Sequence, residues 1–405
     1  MSPDGESLHV EPSALVAPAL GAPMGTAIAV ATAGVLPVFL AGAVGVQLRA
    51  DLHFGTQGLG LITAVFFGTA SLTSAINGRL AERIGAVPAM RVGAILAATS
   101  LGTVAIAARS LSSLLAALVI GGLANALVQP ATNLFLAQRV PTTRLGLAFG
   151  VKQSAIPAAT LLGGLAVPAF ALTVGWRWAF AVGAVGAVLV AVLIPKGPRR
   201  SGRPRSRGRG DDDVGLRPLL LLGIGAGLGA GAAGTLGAFL VSSAVSAGFA
   251  EGAAGLLASL CSGVGLVTRL VSGARADRRG GRHLSTVAVM MATGSLGYLA
   301  IATDIPAVMA PGAVVAFALG WGWPGLFNLA VVKNNAGSPG AATGITQTGT
   351  YLGAVVGPLL FGVAVDAGSY SLAWLGAGVM SLAAAWAVQA GRRALLVDRA
   401  GRSSR

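Results

Sequence analysis

Long apolar stretches separated by short polar breaks run from about residue 22 to residue 391. They show no period-2 alternation, so the pattern predicts helices and not the strands of a barrel. Each stretch is close to the roughly 20 residues that a helix needs to cross a hydrocarbon core of about 30 Å. Twelve spans are predicted. The first six lie near 22–46, 57–79, 88–107, 111–136, 145–173 and 177–195, and the second six near 217–247, 252–272, 284–303, 307–331, 341–365 and 371–391. Between the sets, residues 196–216 carry Pro198, Pro204, a run of Arg and then Asp211, Asp212 and Asp213. Such a stretch reads as a polar linker. The expected organisation is a first six-helix unit (1–195), a linker (196–216), a second six-helix unit (217–395) and a tail (396–405).

Composition agrees with a membrane setting. Only 10% of the 405 residues are charged and 54% are hydrophobic, against about 25% charged in soluble domains. So few charges cannot cover a water-soluble surface of this size. The net charge of +15 would suggest nucleic acid, but its distribution points elsewhere. With the N-terminus placed in the cytoplasm, all of the 28 Lys and Arg except Arg49, Arg109 and Arg177 fall at or near cytoplasmic segments. That asymmetry predicts both termini and the linker inside, and no nucleic-acid partner. The linker arginines meet lipid headgroups or form a solvated tether. Residues 1–12 hold Asp4, Glu6 and Glu11 but no basic residue, so a secretory signal is not expected and the first apolar stretch is read as a retained span.

The two halves repeat one another. Gly78-Arg-Leu-Ala-Glu82-Arg83-Ile-Gly85 and Gly273-Ala-Arg-Ala-Asp277-Arg278-Arg-Gly280 share the pattern Gly-x-x-x-acid-Arg-x-Gly, and Gly78 and Gly273 are 195 residues apart. Ala148–Ser154 parallels Ala342–Thr348 at an offset of 194, and Pro130 matches Pro324, Arg139 Lys333, Gly146 Gly340 and Gly163 Gly357. A doubled hydrophobic chain with a doubled charged loop suggests a transporter built from related halves.

These residues resemble the major facilitator superfamily of secondary transporters, over essentially the whole chain. The family's loop signature is met closely at Gly273–Arg282. In the first copy Glu82 stands for Asp, and Ala86-Val87 stand for the final basic pair. Gly-Trp-Arg-Trp-Ala-Phe at 175–180 looks like the family's usual start of the sixth span. Gly353-x-x-x-Gly357-Pro358 is similar to a packing motif that many antiporters carry in the fifth span, whereas here that span has Ala159-x-x-x-Gly163-Gly164. The resemblance implies an all-α integral membrane fold of two pseudo-symmetric six-helix bundles, a central cavity lined by the first, fourth, seventh and tenth spans, and alternating access by rocking. It assigns Glu82 and Asp277, with Arg83 and Arg278, to a gate that stabilises the state closed to the cytoplasm, a carboxylate being favoured at a helix N-terminus. A solvated surface pair contributing little is the plain alternative.

Polar residues inside apolar helices are the candidates for solute contact. Asn125, Gln129 and Asn133 are spaced i, i+4, i+8 and share a face of the fourth span. They can line a path for a polar solute or hydrogen-bond neighbouring helices. In the tenth span Trp321 and Asn328 share a face, beside Trp323, Pro324 and three glycines that can let the helix bend. Lys152, about two turns into the fifth span, can attract an anion or snorkel to headgroups. Its second-half counterpart is Thr346, and the matched Gln153 and Gln347 can face each other across the two-fold axis. Arg269, one turn before Gly273, is read as part of the gate network, and Asp51 and Asp366 as outer loop charges. None of the thirteen acids falls squarely within a span, which argues against a buried carboxylate as proton carrier.

The leading expectation is a secondary transporter of a small solute with a lean to organic anions, working as a monomer in the cytoplasmic membrane, with a proton as the candidate coupling ion. Proton-coupled drug or metabolite efflux and a non-transporting sensor or scaffold are the alternatives. An enzyme is disfavoured. His9, His53 and His283 are scattered without metal-ligand spacing, Cys261 is alone, and no Gly-x-x-x-x-Gly-Lys-Ser/Thr occurs. Neither a metal nor a cofactor is expected, and no residue is assigned a catalytic role.

Overall fold

The computed structural model describes residues 21–141, 144–195, 215–278, 283–335 and 339–403. These form helices and tight connections, with no strand among the described residues. The first span is α1 (Gly21–Ala43), continued after a break at Val44 by α2 (Gly45–Leu52). The next three are α3 (Gln57–Ile84), α4 (Ala86–Ala107) and α5 (Leu111–Arg139). The fifth is split into α6 (Leu145–Gln153) and α7 (Ala155–Ala166) and ends in a π-helical turn, Val167–Ala171. The sixth is α8 (Trp176–Leu193). The second half repeats the order: α9 (Leu216–Ser246), α10 (Glu251–Arg278) and α11 (His283–Ile301). Its tenth span is broken into α12 (Pro306–Val315), a π-helical turn Ala316–Gly320 and α13 (Pro324–Asn334), followed by α14 (Pro339–Ala367) and α15 (Tyr370–Ser403). Eleven of these spans are long and apolar enough to cross a membrane outright, and α3, bent by 60° between Ser74 and Ile76, completes the twelve.

Breaks fall where the chemistry requires them. Gly85 joins α3 to α4 at φ +91°, a conformation that residues with a Cβ rarely adopt. α5 starts with a capping box in which Ser110 and Ser113 satisfy each other's backbone N–H groups. The outer faces are covered by large apolar side chains such as Leu72, Ile106, Leu193 and Trp386, the surface that hydrocarbon tolerates.

The pseudo-symmetry extends to the contacts between halves. On one seam α3 meets α14 where Gly60 lies against the Pro358 carbonyl, and on the other α10 meets α7 where Gly255 lies against the Gly164 carbonyl. Gly60 and Gly255 are counterparts in the repeat, and so are Gly164 and Pro358. Within the second half α9 and α14 cross still more closely. A Cβ on Gly349, Gly353 or Gly357 would overlap the backbone of Gly223, Gly227 or Gly231, the small-residue packing that brings membrane helices together.

The core is arranged unequally along the bundle axis. At the end away from the linker one apolar cluster joins both halves, including Phe39, Phe66 and Phe180 of the first and Phe239, Phe317 and Trp374 of the second. At the linker end the halves have separate cores, one around Met90, Leu127 and Phe135 and the other around Met291, Trp323 and Phe327. Hydrogen bonds reinforce the joined end: Gln47 Nε2 donates to Glu251 at 2.7 Å, and the Gln57 N–H donates to Asp366 at 3.0 Å. The far end is closed between the halves, while towards the linker end the apolar cores are separate and the halves meet through α6 against α10 and α13.

Candidate functional site

The polar stripe of α5 and the lysine of α6 come together. Lys152 is only 4% exposed. Its Nζ donates to Gln129 Oε1 at 2.5 Å and to Asn133 Oδ1 at 2.9 Å, and Gln129 Nε2 donates in turn to Asn125 Oδ1 at 3.2 Å. The lysine stem therefore turns towards the neighbouring helix and does not run along the bundle to its surface. Exposure rises along the stripe, from buried Asn125 through half-buried Gln129 to exposed Asn133. The amides form a ladder that opens towards the linker end.

This arrangement leaves an electrostatic deficit. Amide oxygens orient an ammonium and satisfy two of its three N–H bonds, but they bring no negative charge. No carboxylate among the described residues contacts Lys152. A buried cation without a counter-ion is costly, and an anion that accepts the third N–H relieves that cost.

Repeat counterparts sharpen the point. In the second half the positions of Gln129, Asn133 and Lys152 are held by Trp323, Phe327 and Thr346. There the indole of Trp323 packs edge-on to Phe327 at 5.6 Å between ring centroids, and Thr346 turns its hydroxyl back to the Ala342 carbonyl. One fold position is a polar, cationic cluster in the first half and a filled apolar core in the second.

A second buried cation, Arg269, is 3% exposed. Its Nη1 donates to the Gln153 carbonyl, and Nε and Nη2 donate to the Trp321 carbonyl at 3.2 and 2.6 Å. Both acceptors lie where helical bonding is interrupted. Gln153 would receive its helical bond from residue 157, which is Pro157 and has no N–H. Trp321 lies in the break before Pro324 and accepts no backbone N–H among the described residues. Arg269 therefore satisfies two stranded carbonyls, one in each half. The sequence placed Arg269 in a gate network without naming its acceptors, although the proline four residues after Gln153 signalled one of them.

The remaining candidates are more dispersed. Trp321 is buried between Phe39, at 5.7 Å, and Phe317, at 5.4 Å, so its ring bridges the two halves. Asn328 is half-buried on α13, and no described residue hydrogen-bonds its side chain. Gln153 and Gln347 are both half-buried, but no hydrogen bond joins them; Gln347 lies beside Tyr351, one turn along α14. At the first charged loop, Gly78, Glu82 and Arg83 occupy the last turns of α3, with both charged side chains exposed, and Gly85 makes the turn. In the second copy Gly273, Asp277 and Arg278 are backbone positions of the last turns of α10, and Gly280 lies outside the described residues.

The model of the Major Facilitator Superfamily matches residues 24–331. The chain belongs to this superfamily. It is a multi-pass membrane protein, and the match names neither a substrate nor a coupling ion. A stretch of 178 residues, 42% of this chain, is 29% identical to an uncharacterised MFS-type transporter of Mycobacterium tuberculosis, and spans 30% of that relative's length. A solved bacterial homologue of the human lysosomal transporter Spinster, in an inward-facing and occupied conformation, superposes with a TM-score of 0.69. That likeness covers 93% of this chain and 97% of the other at 16% identity, a likeness of fold.

Proposed function

We propose that this protein is a secondary carrier of a small organic anion, working by alternating access as a monomer in the cytoplasmic membrane. The observation that carries the reading is the buried Lys152 ammonium, held by Gln129 and Asn133 without a carboxylate. An anion entering from the linker end meets exposed Asn133 first, then Gln129 and the free N–H of Lys152. The distribution of Lys and Arg supports a cytoplasmic linker and cytoplasmic termini. In that orientation the joined far end is the external side, and the separate linker-end cores belong to a form that admits solute from the cytoplasm. The charged loops at Glu82–Arg83 and Asp277–Arg278 would then act when that side closes. Every described acidic residue sits at or near a helix end or in a connection, so proton coupling, if used, would run through the anion or Lys152 rather than a mid-span carboxylate.

The test is uptake into proteoliposomes of labelled lactate, benzoate, succinate and phosphate, with a neutral sugar as comparison. Wild type should accumulate at least one anion, and Lys152→Met, which keeps the stem and removes the charge, should lower its uptake by about tenfold or more. Unchanged uptake and affinity in Lys152→Met would remove the anion assignment. Transport of the neutral solute alone would do the same.

A further inference from the structure

A separate group of unpaired polar atoms lies at the far end. A pocket of about 480 Å³ opens there between the two halves, lined by Arg49, Phe54 and Thr56 of the first and by Ser242, Val245 and Tyr370 of the second. Three atoms of these side chains are buried without a hydrogen-bond partner: Arg49 Nε, Ser242 Oγ and the Tyr370 hydroxyl oxygen. Tyr370 lies within reach of Arg49 and Thr56, but its hydroxyl makes no well-formed hydrogen bond with either. Buried polar groups are normally satisfied, and here three from different helices are left open around one space.

The far-end cations differ in how their charge is used. Arg177 is paired with Asp51 at 2.9 Å, and Arg109 stands exposed. The nearby acids are engaged as well, Glu251 by Gln47 and Asp366 by the Gln57 N–H. Arg49 is half-buried, forms no ion pair with a described residue and turns Nε into the pocket. One guanidinium N–H and two hydroxyls can all donate, which suits a group that only accepts. Phe54 and Val245 add an apolar wall, and the volume is that of a small-molecule site.

We propose that this far-end pocket is a second ligand site, distinct from Lys152, which holds a small carboxylate with a short apolar body across the two halves. The carboxylate accepts from Arg49 Nε, Ser242 and Tyr370, and the body lies against Phe54 and Val245. Both halves line the pocket, so it is complete only when their far ends are together. An occupant therefore favours the far-end-closed form and slows its opening.

The probe is sodium benzoate, titrated against the detergent-purified full chain at ionic strength held constant with sodium chloride, with sodium phosphate as a second anion. The readout is the thermal unfolding midpoint. Wild type should be stabilised by benzoate in a saturable way. Arg49→Gln should raise the half-saturating concentration about tenfold or more, and the double variant Ser242→Ala with Tyr370→Phe should weaken it too. The double variant removes only hydroxyls that make no well-formed hydrogen bond in the fold, so it decides the question if Arg49→Gln folds poorly. Absence of a benzoate shift, a response retained in the double variant, or stabilisation by phosphate alone would overturn the proposal.

Discussion

The guanidinium of Arg269 donates to the backbone carbonyl of Gln153, and Gln153 lacks its helical donor because residue 157 is proline. One side chain of the second half thereby completes a broken helix of the first, next to the lysine that grips the α5 amides. Arg269→Ala should strand two buried carbonyls and lower stability by about 2 kcal/mol or more, at about 1–3 kcal/mol for each group left unsatisfied. Pro157→Ala restores an N–H for Gln153. The double variant should therefore unfold in detergent at a higher temperature than Arg269→Ala alone. Additive losses would show that the carbonyl is not what Arg269 serves.

Contact between α9 and α14 depends on paired glycines. Gly353→Ala should destabilise by about 1–3 kcal/mol, the usual cost of overpacking, because its Cβ has no space beside Gly227. Gly376 on α15 has open space within 4 Å of where a Cβ would stand. Gly376→Ala should be neutral or stabilising by up to about 1 kcal/mol. Thermal unfolding of the two variants side by side checks the contrast.

At the far end the halves are tied by the Gln47–Glu251 hydrogen bond. The proposed alternating access requires this contact to break. A Gln47→Cys, Glu251→Cys pair, once oxidised, should stop uptake, and reductant should restore it. The native Cys261 is buried and should not interfere. Full uptake with the crosslink formed would show that the far end need not open.

Asp51 accepts from Arg177, and that hydrogen bond holds its carboxyl below the ordinary carboxylate value. A depressed pKa contributes stability that is present above the unfolded-state value and lost as pH falls towards the folded one. Both partners are more than a third exposed, so the effect is small, about 0–1 kcal/mol. Asp51→Asn should be slightly less stable than wild type near neutral pH, and the gap should close below about pH 4. Midpoints measured from pH 7 downwards would show this convergence.

The twelve spans, the doubling and the membership were legible in the chain, because each rests on local chemistry. An apolar run of about 20 residues has few alternatives to a membrane helix, and Gly78–Gly85 and Gly273–Gly280 declare the repeat without any contact being known. The face shared by Asn125, Gln129 and Asn133 followed from helical periodicity alone, and Lys152 stood out because a charge within a span is costly.

What periodicity cannot supply is the partner across space. That Lys152 meets Gln129 and Asn133, while its counterpart Thr346 lies where Trp323 and Phe327 fill the room, depends on how α5 and α6 lie together. Arg269 sits 116 residues from Gln153, and the two meet only because α10 packs on the broken fifth span. The same holds for Arg49, Ser242 and Tyr370, which belong to three helices and converge only where the halves close. Sequence determines which groups must be satisfied or buried; tertiary packing decides which of them are satisfied by one another and which are left for a ligand.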